Sequence, residues 1–267
     1  MIGGANVSLR GKIAIVTGAS AGIGRAYALA LAGEGATVVA AARRLAPAEG
    51  DPPEANSLSA VVKAGESLPG RIYAQQCDME LEADIIRLVD HTIANLGRID
   101  VVVNNAAAIL RCEALSITGE AWDQVMATNV RGPYLIIRQV APHMIRQRSG
   151  SIINITALVG TMTPQSNYPG FLSYGVSKAA LNRISYFMAA ELKPYGIAVN
   201  SLSPGVVLSE SALRARPDVA KAGTHKPCTP EVLGPALIYL AQQNAATLTG
   251  QILHSDEFQK SWPSAPA

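Results

Sequence analysis

Tyr174 and Lys178, four residues apart in SYGVSKAALNRI (173–184), are of types that can manage a proton together. A helix brings residues i and i+4 onto one face, so the ammonium can stand beside the phenol. A free tyrosine has a pKa near 10, and an appreciable phenolate fraction at neutrality needs it to fall by roughly 2 to 3, about 3 to 4 kcal/mol. A lysine beside it can supply part of this by stabilising the anion. The same spacing also describes an ordinary contact on a half-exposed helix. The rest of the chain has to separate the two readings.

A second chemical signal lies near the start. TGASAGIG carries Gly18, Gly22 and Gly24, with Ser20 and Ile23 among them, between an apolar run and a helical pattern. Glycines there let the backbone turn sharply and approach a phosphate closely. The helix that follows offers unpaired N–H groups to a pyrophosphate. A tight turn with no ligand is the alternative. Cofactor choice is usually set at the end of the next strand, where a carboxylate can bond the ribose hydroxyls. Here that place reads AAARR: Ala42 stands where the acid would be, followed by Arg43 and Arg44. Guanidinium pairs well with a 2′-phosphate, which favours NADP and leaves NAD possible. Two solvated surface arginines would look the same.

These residues need a frame. Short β-rich runs occur at 12–17, 36–42, 71–78, 99–106, 149–156, 196–204 and 250–254. Helical patterns fall between them, after the glycine turn and at 80–96, 119–147, 173–193 and 230–243. Strands alternating with helices imply parallel pairing through crossovers, hence an α/β fold: a Rossmann-type doubly wound parallel sheet of about seven strands, with helices on both faces. The whole of 1–267 is expected to be one dinucleotide-binding domain. Residues 45–57 are read as a solvated insertion, 205–229 as a substrate flap broken by Pro217 and Pro227, and 255–267 as a tail.

Bulk properties exclude other classes. The 267 residues carry a net charge of +2 without a basic cluster, so there is no nucleic-acid footprint. No apolar run is long enough to span a membrane. The N-terminus MIGGANVSLRGK lacks the apolar stretch of a signal peptide. Cys77, Cys112 and Cys228 are scattered and read as reduced thiols, pointing to a cytoplasmic location. The four histidines stand apart, so no catalytic metal is expected.

In order, the chain presents TGxxxGxG, Asp78 after the third strand, NNAA at 104–107, an asparagine in a long helix, and YxxxK. This arrangement, over about residues 7 to 254, resembles the short-chain dehydrogenase/reductase family in its compact single-domain branch. The resemblance implies that Asp78 bonds the adenine and that Asn105 and Ala106 line the ribose. It implies that Asn129 anchors a water relay, Tyr174 is the general acid/base, and Lys178 binds the nicotinamide ribose and lowers the tyrosine pKa. Val207 and Ser209 would hold the carboxamide. A small carbonyl or alcohol substrate and a homodimer or homotetramer packed through 119–147 and 173–193 are further implications.

One departure stands out. Relatives usually have a serine three residues before the glycine of TALVG, and this chain has Ala157; the stretch from Gly160 to Tyr174 is also about four residues longer. Thr156, Thr161 or Thr163 could replace the hydroxyl, or the enzyme could work without it, at a cost of roughly 10²–10³ in rate by analogy with oxyanion-hole deletions. A non-catalytic NADP-binding regulatory or scaffold protein is the third reading. Tyr168, Phe171 and Leu172 suggest an apolar substrate wall. The expected activity is NADP-dependent interconversion of a secondary alcohol and a ketone or aldehyde.

Overall fold

The computed structural model describes residues 9–47, 49, 56–161, 169–209 and 228–262. Most of the 45–57 insertion, most of the 205–229 flap, the end of the tail, Thr163 and Tyr168 lie outside the described residues.

Seven strands follow the sequence runs: β1 (Ile13–Thr17), β2 (Thr37–Ala42), β3 (Arg71–Gln76), β4 (Val101–Asn104), β5 (Gly150–Ile155), β6 (Ile197–Ser203) and β7 (Ile252–His254). They form one parallel sheet in the order β3-β2-β1-β4-β5-β6-β7. A parallel strand covered on both faces has no solvent side, which is why β1, β4, β5 and β6 are buried at every position. Edge strand β3 instead buries Ile72 between exposed Arg71 and Tyr73.

Helices cover both faces. On one side α1 (Gly22–Gly33), α2 (Leu58–Ala64) and α7 (Gly234–Ala241) pack Leu31, Val61 and Leu237 onto Val16, Val38 and Leu202. On the other, α3 (Glu82–Leu96), α5 (Gly132–Gln147) and α6 (Leu172–Leu192) pack Leu88, Ile136 and Ala189 onto Ile15, Val102 and Val199. The sheet order reverses between β1 and β4, and ligands in such sheets sit at that point, outside the carboxyl ends of the strands.

Two differences from the sequence expectation bear on the site. The 119–147 pattern is not one regular helix: α4 (Gly119–Met126) passes through a π-helical turn, Ala127–Arg131, into α5. Pro133 has no N–H to return to Asn129, so the turn widens, and the Gly132 amide donates to Ala127 O. The tail also folds back on its own chain. Trp262 donates from Nε1 to His254 O at 2.8 Å and stacks with Phe258 and Tyr239, at centroid distances of 4.9 and 6.0 Å.

Candidate active site

At the switch point a cleft of about 840 Å³ opens between the β1–α1 turn and the start of α6. The glycine turn forms one wall. Gly18 and Gly22 take positive φ, 65° and 51°, which glycine adopts without strain. A Cβ on Gly24 would lie 2.3 Å from Gly18 O and 2.4 Å from Asn105 Nδ2, so β1, α1 and β4 meet there with no room for a methyl group. Gly24→Ala should therefore lower stability by about 1 to 3 kcal/mol, read as a drop in Tm. A melt superimposable on that of the parent protein would show the contact to be soft.

Asn105 locks this corner through bonds from Nδ2 to Thr17 O at 2.9 Å and to Gly18 O at 3.3 Å. Thr17 Oγ1 accepts the amides of Asn105 and Ala106 at 3.0 and 3.1 Å. Thr17 was not a candidate from sequence, where a threonine ending a strand reads only as a β former. No side chain caps the first turn of α1, which opens on the cleft. That is the donor set a pyrophosphate needs.

The cleft continues past the ends of β2 and β3. Ala42, Arg43, Arg44 and Asp78 all line the cleft. Asp78 is held by its own amide, which donates to Asp84 Oδ2 at 2.9 Å, while its Oδ1 accepts the Glu80 amide at 3.0 Å. Across the cleft, Val207 and Ser209 line the wall after β6. A bridge between Val207 and Cys228, with Leu208 N donating to Cys228 O at 2.8 Å, ties together the two ends of the 209–227 stretch. The residues present thus fit a dinucleotide along its whole length.

Tyr174 and Lys178 stand at the far end, on the first turns of α6, and both line the cleft. The Lys178 ammonium lies 5.5 Å from the Tyr174 ring centroid and donates to Ile155 O at 2.8 Å. Burial pushes the tyrosine up to about 12 and the lysine down to about 8. The tyrosine shift is opposite in sign to the one a phenolate base requires. Burial alone keeps Tyr174 a proton donor, the state that reduction of a carbonyl uses.

Asn129 is the one catalytic or cofactor-binding candidate that does not line the cleft; it is fully buried behind it. Its Oδ1 accepts the Ala108 amide at 2.7 Å, and its Nδ2 donates to Ala108 O at 2.8 Å and to Ser177 Oγ at 3.0 Å. Ser177 Oγ donates in turn to Tyr174 O at 2.7 Å. So the π-turn, the loop after β4 and the first turn of α6 are joined by one asparagine. Ser177 had no sequence signal, since a serine inside YxxxK reads as a neutral helix residue.

Ala157 is in extended conformation at the cleft wall, where the expected serine would be. The Thr156 amide keeps its bond to Leu202 O at 2.9 Å, so no bulge turns that residue around. Its hydroxyl is buried and has no hydrogen-bond partner. Thr161 is exposed and donates to Leu158 O at 3.1 Å. Thr156 lines the cleft with its hydroxyl shielded, and Thr161 does not line it. Phe171 does line the cleft, 6.3 Å from the Tyr174 ring, whereas Leu172 is exposed outside it.

This geometry agrees with comparison to known proteins. A sequence profile described as short chain dehydrogenase matches residues 12–220. The chain is a short-chain dehydrogenase/reductase. It is 32% identical over 259 residues to the 3-oxoacyl-[acyl-carrier-protein] reductase FabG of Thermotoga maritima, spanning 93% of this chain and 97% of that one. The Staphylococcus epidermidis protein of the same name is 32% identical over 249 residues, spanning 91% and 96%. Among solved structures, a short-chain dehydrogenase/reductase from Mycobacterium marinum superposes with a TM-score of 0.82 at 31% identity, covering 92% of this chain and 94% of that one. A Beutenbergia cavernae protein, described as an NAD(P)-dependent gluconate 5-dehydrogenase with bound NADP, gives 0.81 at 28%, covering 96% and 100%. Family membership makes this short-chain dehydrogenase/reductase an oxidoreductase that uses NAD or NADP. No helix among the described residues is long and apolar enough to cross a membrane, and they contain no grouping of metal ligands.

Proposed function

We propose that the protein is an NADP-dependent reductase of ketones, with Tyr174 as the proton donor. The observation that carries this reading is the half-buried Tyr174, with the Lys178 ammonium 5.5 Å from its ring, at the end of the cleft that the glycine turn lines. The reduced nicotinamide supplies the hydride when bound. The Tyr174 hydroxyl delivers a proton to the substrate oxygen. Lys178 holds the ribose and offsets the negative charge as the tyrosine gives up its proton. Asn129, through Ala108 and Ser177, fixes the position of the α6 turn that carries Tyr174.

Preference for NADP rests on the missing carboxylate at Ala42 and on the guanidinium groups of Arg43 and Arg44 at that end of the cleft. Dimer formation through α5 and α6 is supported by the exposed apolar side chains Tyr134, Val176, Tyr186 and Phe187 on those helices.

The test is turnover of a ketone panel with NADPH and with NADH. A 3-oxoacyl thioester belongs on it, because the relatives are named for that substrate. Faster turnover with NADPH than with NADH supports the proposal; the reverse order overturns the cofactor preference. Ala157→Ser supplies the absent donor at the cleft wall, and we expect it to raise kcat on small ketones with the fold unchanged. A fall in kcat would mean that another group already occupies that space.

A further inference from the structure

Next to the cleft, against the outer side of its lining residue Phe171, stands a cation that neither cofactor binding nor proton transfer employs. Arg111 lies in the loop after β4, and its Cζ stands 5.7 Å from the centroid of the Phe171 ring. The Cys112 amide donates to Gly170 O at 3.2 Å, which clips the two loops together, and the Arg111 side chain runs along Gly170. Phe171 in turn packs 6.3 Å from the Tyr174 ring and lines the cleft. Phe171 is therefore in contact with both Arg111 and Tyr174. Arg111 is exposed and makes no ion pair with another of the described residues.

Among the described residues, Ile109 lines the cleft and is 46% exposed, and Leu172, beside Phe171 in the chain, is 47% exposed. Apolar side chains gathered at a cleft mouth favour a ligand with an apolar body. A guanidinium held in one place by a ring beneath it loses little freedom on meeting a carboxylate, which it binds with two parallel hydrogen bonds.

We propose that Arg111 is a specificity-determining residue: it binds the anionic end of an oxo acid whose apolar body lies along Phe171 and whose ketone reaches Tyr174. This inference rests on the assignment of carbonyl reduction to the Tyr174 end of the cleft. Arg43 and Arg44, which follow β2, line the cleft together with Asp78 and belong to the proposed cofactor site.

The experiment uses the full chain with NADPH, and pairs of straight-chain oxo acids and their methyl esters with spacers of increasing length. For the best spacer, kcat/KM for the acid should exceed that for its ester by about 10-fold or more, the range for a hydrogen bond to a charged group at a solvated site. Arg111→Met should raise KM for the acid by the same factor and leave the ester unchanged, and Arg111→Lys should recover part of the difference. Added salt should narrow the gap in the parent protein. Acid and ester used equally by the parent, or an unchanged ratio in Arg111→Met, would overturn the proposal.

A binding readout separates this from failure of the reduction chemistry. Quenching of bound-NADPH fluorescence by the acid, measured in the parent and in Arg111→Met, reports on the subsite even if no ketone is reduced. Tighter binding of acid than ester in the parent, lost in the variant, supports the role of Arg111. Equal binding overturns it.

Discussion

Tyr174→Phe should reduce turnover of every ketone substrate by roughly 10²–10⁴, the contribution of a positioned general acid. NADPH affinity should stay within a few-fold, because the cleft is built mainly from the glycine turn, the ends of β2 and β3, and the Val207–Ser209 wall. The substitution removes only the hydroxyl and leaves the ring that packs against Phe171 and beneath the Lys178 ammonium. An unchanged melting curve would accompany the loss of activity. Steady-state rates with a fluorescence titration of NADPH check both halves, and retained turnover would show that the proton comes from another group.

Lys178→Met should have two effects of opposite sign. Activity should fall steeply, since the ammonium that balances the developing charge on Tyr174 is gone. Stability should rise. Lys178 is 2% exposed, and burial lowers its pKa from 10.5 to about 8. At neutral pH the folded protein therefore carries a buried ammonium disfavoured by about 3 kcal/mol relative to the unfolded chain. The direct bond to Ile155 O leaves that net cost in place.

The sign follows from linkage. Below about pH 8 the lysine is charged in both states and the full penalty applies. Between there and 10.5 the folded state is neutral while the unfolded state still binds the proton, so stability rises with pH. A methionine of similar length removes the penalty, and replacing buried charge by apolar volume often gains about 1 to 4 kcal/mol. Thermal melts from pH 7 upward should show Lys178→Met more stable at the start, with the parent catching up as pH rises. A variant less stable than the parent at pH 7 would mean that the bond to Ile155 O outweighs the burial cost.

These results would express a trade between stability and function. The buried face of α6 is polar where other helices are apolar: Ser173, Ser177, Lys178, Asn182 and Ser185 all point inward. That helix is positioned by hydrogen bonds more than by apolar burial. Asn154 and Ser201 reach Ser185 from neighbouring strands, each at 2.8 Å. Buried polar groups of this kind are costly to mispair and therefore fix one geometry.

How much of this was legible in the sequence depends on the kind of contact. The strands stood out because parallel strands buried on both faces read as short apolar runs, such as IAIVT and VVVN. Helix α2 did not, because its seven residues directly follow the proline-rich 45–57 stretch and carry too few turns for a period to show. The cleft residues were legible because glycines, Asp78 and YxxxK each have a chemical reason to occupy their spacing. The π-turn was not, since it arises from Asn129 meeting Ala108, 21 residues away, combined with the missing N–H of Pro133. Thr17 and Ser177 act through backbone groups, which leave no pattern in side-chain type. Arg111 could be seen only after the fold brought it over Phe171.

Ala157 was visible as a departure, and the fold sharpens what it means. With the Thr156 hydroxyl buried and Thr161 bonded to Leu158 O, the cleft wall has the methyl group of Ala157 where the family resemblance led us to expect a hydroxyl. Tyr174 is then left as the main donor to the substrate oxygen. That makes its substitution more damaging here than in a site with two donors.

The most direct test of the central claim follows the hydride itself. The protein is given NADPH carrying deuterium at the transferring carbon, together with the best ketone of the panel, and the product is analysed by mass spectrometry. The account predicts one deuterium on the carbinol carbon per NADPH consumed, and loss of that product in Tyr174→Phe. NADPH that binds tightly yet passes no label to any ketone, oxo acid or thioester would contradict it and leave a cofactor-binding protein without reductase chemistry.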